Sequence, residues 1–275
     1  MDPRPIGVFD SGIGGLSAVR ALRRLLPEEP ILYLGDTARM PYGCRPADEI
    51  DTFTGQITAW LLRRGVKALI AACGTISCNA PSLQRLPVPC FDVVSAAAEA
   101  AARRSVCGRI GLAATEATVR SGRFARAITR QTGQPVVNAA CPLLAPMIEQ
   151  GVSAEDPRLA AAVSEYCRPF LENHVDTVVL GCTHYPLIAG AFAAVLGPSV
   201  TLIDCAAETA AAAAAALGQA RLLSAEGSPV GEFWFTAAPP PAALQTAARL
   251  LGQDIGSRLS LLPLAELTGG DPHES

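Results

Sequence analysis

The sequence predicts an α/β protein with parallel sheets, built as two related halves. Three observations carry that expectation. Short apolar runs alternate with longer helical patterns, the chemically interesting residues follow directly on the apolar runs, and two stretches of the first half recur in the second. Apolar runs bounded by Gly, Asp or Pro read as strands buried on both faces, and strands alternating with helices form parallel sheets covered on both sides.

In order along the chain, strands are expected at 5–9, 31–34, 68–72, 109–113, 135–138, 177–180 and 200–203. Helices are expected at 16–26, 47–64, 95–104, 123–132, 157–172 and 206–217. The last of these is almost all alanine, which a packed helix explains because alanine is the best helix former. Residues 268–275 are polar, with Gly, Pro and Asp, and read as a flexible tail. The internal echo pairs Val66-Lys67-Ala68-Leu69-Ile70-Ala71-Ala72-Cys73-Gly74-Thr75 with Val175-Asp176-Thr177-Val178-Val179-Leu180-Gly181-Cys182-Thr183-His184, without gaps. A second echo, at a similar offset, pairs Ile6-Gly7-Val8-Phe9-Asp10-Ser11 with Ile110-Gly111-Leu112-Ala113-Ala114-Thr115. Two echoes in the same order indicate duplication.

Composition narrows the function. The chain has 275 residues, 50% hydrophobic and 17% charged, with a formal net charge of −3. An acidic balance argues against nucleic acid as a partner, since phosphate contacts need clustered Lys and Arg. The N-terminal Met1-Asp2-Pro3-Arg4-Pro5 has no signal-peptide apolar region, and no apolar run approaches the roughly 18 residues of a membrane span. A soluble cytoplasmic protein without membrane contact is expected. Nine cysteines without a C-x-x-C pair exclude a disulfide framework and a tetrathiolate zinc site. Cys90, Cys107, Cys141, Cys167 and Cys205 read as buried, inert thiols. The single lysine, Lys67, is the only candidate for a pyridoxal-phosphate Schiff base, and its place before an apolar run reads as a solvated strand entry.

Ligand chemistry in parallel α/β sheets gathers at the carboxyl ends of the strands. Asp10-Ser11-Gly12-Ile13-Gly14-Gly15-Leu16-Ser17 lies at such an end, but lacks the G-x-G-x-x-G spacing of a dinucleotide site. Asp10 there fits a group that handles protons or an ammonium. The loop Gly35-Asp36-Thr37-Ala38-Arg39-Met40-Pro41-Tyr42-Gly43 offers a tyrosine hydroxyl and a glycine amide to a carboxylate. Cys73 and Cys182 close equivalent strands of the two halves. If the halves face each other, the thiols enter one cleft from opposite sides, where one removes a proton from a carbon and the other delivers one to the opposite face. Such thiols need local helpers, because a free thiol is mostly protonated at neutral pH. Asp10 is available to Cys73 and His184 to Cys182. A Cys–His nucleophile is the competing reading, but it leaves the second cysteine without a role.

These residues resemble the glutamate racemase family, over about 6–217. The resemblance rests on Phe9-Asp10-Ser11-Gly12-Ile13-Gly14-Gly15-Leu16, on Gly35 through Gly43, and on Ala114-Thr115-Glu116-Ala117-Thr118-Val119-Arg120-Ser121-Gly122. It continues in Cys141-Pro142, Glu149-Gln150-Gly151 and Gly181-Cys182-Thr183-His184-Tyr185-Pro186-Leu187. It implies two similar α/β domains related by a pseudo-twofold axis, with the active site between them: 1–95 plus 207–267, and 96–206. It also implies racemisation of glutamate for peptidoglycan synthesis without cofactor or metal, and a homodimer. By position, Cys73 and Cys182 would be the acid/base thiols, taking the proton of D- and L-glutamate respectively, with Asp10 and His184 assisting. Ser11, Gly74, Thr75 and Thr183 would hold the amino-acid head group; Pro41, Tyr42, Gly43 and Thr118 would lie at the side-chain carboxylate, and Glu149 near His184.

The chain departs from the family pattern twice. Gly74 stands where the family has Asn, which removes an amide contact to the head group and suggests room for another substrate geometry. Ala96 stands where Pro is usual. A racemase acting on aspartate and a non-catalytic amino-acid-binding relative are the two alternatives that follow.

Overall fold

The computed structural model describes residues 1–224 and 231–269. Two parallel sheets organise it. The first holds β1 (Ile6–Asp10), β2 (Ile31–Gly35), β3 (Ala68–Ala71), β4 (Cys90–Asp92), and, from the far end of the chain, β9 (Glu232–Phe235) and β10 (Leu259–Leu261). The second holds β5 (Ile110–Ala114), β6 (Val137–Ala140), β7 (Thr177–Leu180) and β8 (Thr201–Asp204). The strand orders are β10-β9-β2-β1-β3-β4 and β6-β5-β7-β8. The second order repeats the run β2-β1-β3-β4 position for position, so β1 answers to β5 and β3 to β7. The two sequence echoes fall on those equivalent strands.

Helices fill the connections: α1 (Leu16–Leu25), α2 (Ala47–Arg63), α3 (Gly74–Asn79), α4 (Val93–Arg104), α5 (Glu116–Ser121), α6 (Arg123–Thr132), α7 (Leu144–Glu149), α8 (Pro157–Glu172), α9 (Ala189–Leu196), α10 (Cys205–Gln219), α11 (Pro241–Leu251) and α12 (Leu264–Thr268). Strand alternation splits each half into two cores. In the first half, Ile6, Val8, Tyr33 and Ile70 face α1, α10 and α11. Phe9, Leu32, Leu34 and Leu69 face α2 on the other side. In the second half, α8 and α9 cover one face and α4 and α6 the other. The alanine run forms the packed helix α10, with Ala206, Ala210 and Ala213 buried at helical spacing against α1. No described helix is long and apolar enough to cross a membrane.

The chain crosses between sheets twice, by the same device. Asp92 ends β4 and caps α4, accepting from the Val94 and Ser95 amides; Asp204 ends β8 and caps α10, accepting from Ala206 and Ala207. The first cap starts α4 two residues before the expected 95, and the half-buried Ala96 lies in its first turns. Strand β6 lies two residues beyond the expected 135–138, because it is an edge strand whose exposed residues give no apolar run. Thr268 belongs to α12, and 270–275 of the expected tail lie outside the described residues.

Two expectations about side chains are corrected. Lys67 is buried: its Nζ lies 2.6 Å from Glu29 Oε2 and donates to the Asp2 carbonyl at 2.7 Å. It sits at the opposite end of β3 from Cys73, so a Schiff base at the cleft has no lysine available among the described residues. All nine cysteines are unpaired, with Cys141, Cys167 and Cys205 buried as expected; Cys90 is half-buried and Cys107 exposed, in the turn that leads to β5.

Candidate active site

Parallel strands aim their carboxyl ends in one direction, and here the two sheets aim them at each other. A cleft of about 130 Å³ lies between the halves. It is lined by Ser11, Pro41, Tyr42, Gly43, Cys73, Gly74, Thr75, Glu149, Cys182, Thr183 and His184 of the expected site. Thr115, which was not among the expected residues, lines it as well. Thr118 lies behind the wall: Thr75 and Thr115 hydroxyls are 3.0 Å apart, and Thr115 donates to Thr118 at 2.9 Å. Thr115 is the N-cap of α5, a signal the sequence carried in Thr115-Glu116.

Cys73 follows β3 and Cys182 follows β7, so equivalent strands deliver the two sulfurs to one cavity. Their surroundings differ. Cys73 Sγ lies 3.6 Å from the Ser11 hydroxyl. Burial pushes this thiol up to about 12, with the Asp10 carboxylate adding to the effect, so it rests as a neutral acid. Cys182 Sγ lies 3.6 Å from His184 Nδ1, whose Nε2 is 2.9 Å from Glu149 Oε1. Burial alone would lower the His184 proton affinity, but hydrogen bonds to Cys182 and Glu149 outweigh it and hold the imidazole well above its ordinary value. The imidazolium form of His184 is therefore the favoured one.

Asp10 is fully buried beneath the cleft and does not line it. Its Oδ1 accepts from the Gly12 amide at 2.8 Å and its Oδ2 from the Thr183 hydroxyl at 3.2 Å, a contact that ties β1 of one half to the second half. Burial raises its proton affinity, opposed by the charge of His184. Its direct partner is thus Thr183, while Ser11 is the partner of Cys73.

The Tyr42 hydroxyl is engaged elsewhere. It donates to Asp36, a fully buried carboxylate that also accepts from Arg39 Nε at 2.6 Å and from Thr236 at 2.7 Å. Neither the Tyr42 nor the Gly43 N–H donates to a described protein group. The same holds for the N–H groups of Ser11, Gly74, Thr75 and Thr183, those of Gly74 and Thr75 being the first of a helix and without intrahelical acceptors.

Glycines set how closely the halves meet. A Cβ at Gly14 would strike Thr183 and His184, so the glycine run after β1 is filled by side chains of the opposite half. A Cβ at Gly74 would meet the Gly181 carbonyl oxygen. Gly74 therefore opens no extra room for a substrate; it lets the segments that follow β3 and β7 touch.

Among the described residues no group of three or more His, Cys, Asp or Glu is arranged to hold a metal ion. The cleft brings two thiols with unlike surroundings to one cavity. The family model for Asp/Glu/hydantoin racemases matches residues 15–213. The chain belongs to that family, and it is an isomerase. A glutamate racemase of Syntrophus aciditrophicus is 42% identical over 254 residues, covering 91% of this chain and 94% of that protein. The crystal structure of a glutamate racemase isoform from Bacillus anthracis matches with a TM-score of 0.90 and 32% identity, over 96% of this chain and 99% of that one. That of glutamate racemase from Francisella tularensis in complex with D-glutamate matches with a TM-score of 0.88 and 33% identity, over 96% and 99%.

Proposed function

We propose that this protein is a glutamate racemase that interconverts L- and D-glutamate by two-base proton transfer between Cys73 and Cys182. The observation that carries the reading is the delivery of two thiols, of unlike electrostatic surroundings, to one cavity from equivalent strand ends of two duplicated halves. The domains are taken as 1–95 with 207–267, and 96–206. The relatives' activity favours glutamate over aspartate.

In the L to D direction, Cys182 sulfur takes the α-proton, and the C–H electron pair moves into the α-carboxylate as an enolate. Cys73 then gives its S–H proton to the opposite face, and the electron pair returns to carbon. The α-proton is weakly acidic, so the developing charge needs preorganised donors; the free amides of Ser11, Gly74, Thr75 and Thr183 are placed to supply them. Asp10, through Thr183, positions the head-group side of the cleft, and its charge discourages a second anion at Cys73. Amides of Tyr42 and Gly43, beside Pro41, serve the side-chain carboxylate, with Thr118 holding Thr115 and Thr75 in line. In the wider reading the enzyme is a cytoplasmic homodimer that supplies D-glutamate for peptidoglycan.

The test is circular dichroism of the purified protein, incubated without added cofactor with each enantiomer of glutamate and of aspartate. Both glutamate signals should decay to zero while aspartate persists. Aspartate decay alone would move the substrate, and an unchanged signal in all four would leave a binding protein.

Glu149→Gln gives a pH prediction of defined sign. The Glu149 carboxylate favours the His184 imidazolium, so a neutral amide there lowers the pH at which His184 loses its proton. The alkaline limb of the kcat/KM profile should shift acidward in the variant. An unmoved limb would assign it to another group.

A further inference from the structure

Helix α3 carries the first thiol at one end and is held by the second half of the chain at both. Cys73 stands immediately before it, and the free amides of Gly74 and Thr75 open its first turn. At that end the Thr75 hydroxyl lies 3.0 Å from that of Thr115, which caps α5 in the second half. One turn on, the Ser77 amide donates to the Cys73 carbonyl at 2.9 Å, so the place of Ser77 bears directly on that of Cys73. Ser77 is fully buried, and its hydroxyl donates to the Ala71 carbonyl of β3 at 3.0 Å.

The Ser77 carbonyl has no helical partner. An α-helix pairs a carbonyl with the amide four residues on, and here that residue is Pro81, which has no N–H. Arg123, the first residue of α6 in the second half, supplies the missing donor: its Nη1 donates to the Ser77 carbonyl. Its Nη2 donates to Asp92 Oδ2 at 2.6 Å. The other Asp92 oxygen accepts from the Val94 amide at 2.9 Å, so the arginine is tied to the crossing between the sheets as well. Helix polarity does not call for an arginine at this place. A cation at the first position of α6 opposes the positive end of that helix. Nor does Arg123 line the cleft. Its planar fork instead joins α3, the start of α4 and α6 at one point.

A helix of six residues makes few bonds of its own, so its direction depends on what holds its ends. The Cys73 sulfur and the Gly74 and Thr75 amides all take their aim from that direction. We propose that Arg123 is a positioning residue for racemisation, fixing α3 so that Cys73 and those amides meet the substrate α-carbon opposite Cys182. This rests on the two-thiol reading of the cleft. A misplacement of about 1 Å by a residue remote from the chemistry costs up to about 10²-fold in rate.

The experiment compares wild type, R123M and R123K in deuterium oxide, following inversion by circular dichroism and α-deuterium in the remaining substrate by proton NMR. R123M should lose about 10–100-fold in turnover. R123K keeps the charge without the fork and should retain more than R123M. From L-glutamate, Cys182 takes the proton and Cys73 must complete the inversion. A misaligned Cys73 lets the intermediate return, so deuterium gained per inversion should rise in R123M. From D-glutamate, where Cys182 completes the reaction, that ratio should not rise. A general loosening of the fold would lower inversion without this asymmetry. Variants indistinguishable from wild type, or ratios that move alike from both enantiomers, would overturn the proposal while leaving the two-thiol scheme standing. A wild type that neither inverts nor exchanges glutamate would overturn both. Should R123M fail to fold, the same ratio in R123K decides.

Discussion

Serine in place of Cys73 or Cys182 is expected to lower racemisation by about 10²–10⁴-fold, the span of general acid–base catalysis by a positioned group. A hydroxyl is a far weaker acid than a thiol, and the cleft already disfavours an anion at the first position, where burial holds even the thiol at about 12. The serine variants should fold, since sulfur and oxygen differ little in size. Each should also keep half of the chemistry. Cys73→Ser retains the base that takes the L-proton, so in deuterium oxide it should exchange the α-proton of L-glutamate without inverting it. Cys182→Ser should do the same for D-glutamate. Near-normal turnover in either variant, or exchange of both enantiomers in both, sinks the two-base scheme.

Lys67→Ala is expected to destabilise the protein by about 3–5 kcal/mol, the usual result of stripping one partner from a buried ion pair. Glu29 is almost fully buried, and without Lys67 its Oε2 faces no cation among the described residues. Its other oxygen still accepts from the Ser224 amide at 2.5 Å, which is insufficient for a full charge. Urea unfolding should show the loss as a lower midpoint at an unchanged slope. The double variant Lys67→Met, Glu29→Gln should recover much of it, because no uncompensated charge remains and the two sites share one interaction. A single variant within about 0.5 kcal/mol of wild type, the range of ordinary surface changes, would show that the pair is not buried in solution.

These cases also show what the sequence could and could not convey. Interior strands such as β3 and β7 were legible, because burial on both faces writes an unbroken apolar run, whereas interior β9 was not expected, since its exposed Glu232 and half-buried Trp234 interrupt the run. The edge strands β4 and β10 have three residues each and were not expected, and the half-exposed edge strand β6 was expected two residues early. Helices α3, α5 and α7 have six residues each, too few for a helical period to register. The thiol pair was legible because duplication placed it twice on the same motif. The partners of Tyr42, Asp10 and Lys67 were not, since side-chain hydrogen bonds follow from the tertiary path. Tyr42 spends its hydroxyl on Asp36, and Lys67 meets a glutamate from the loop before β2.

The paired crossings at Asp92 and Asp204 have a kinematic consequence. A body joined to another by one strand of chain can swivel in any direction. Here two connections lead into helices, α4 and α10, that pack on each other side by side. Any relative motion of the halves would thereby be confined to rotation about a line through that pair, as with a door on two hinge pins. A rotation about that line would carry Cys73 and Cys182 along a single arc.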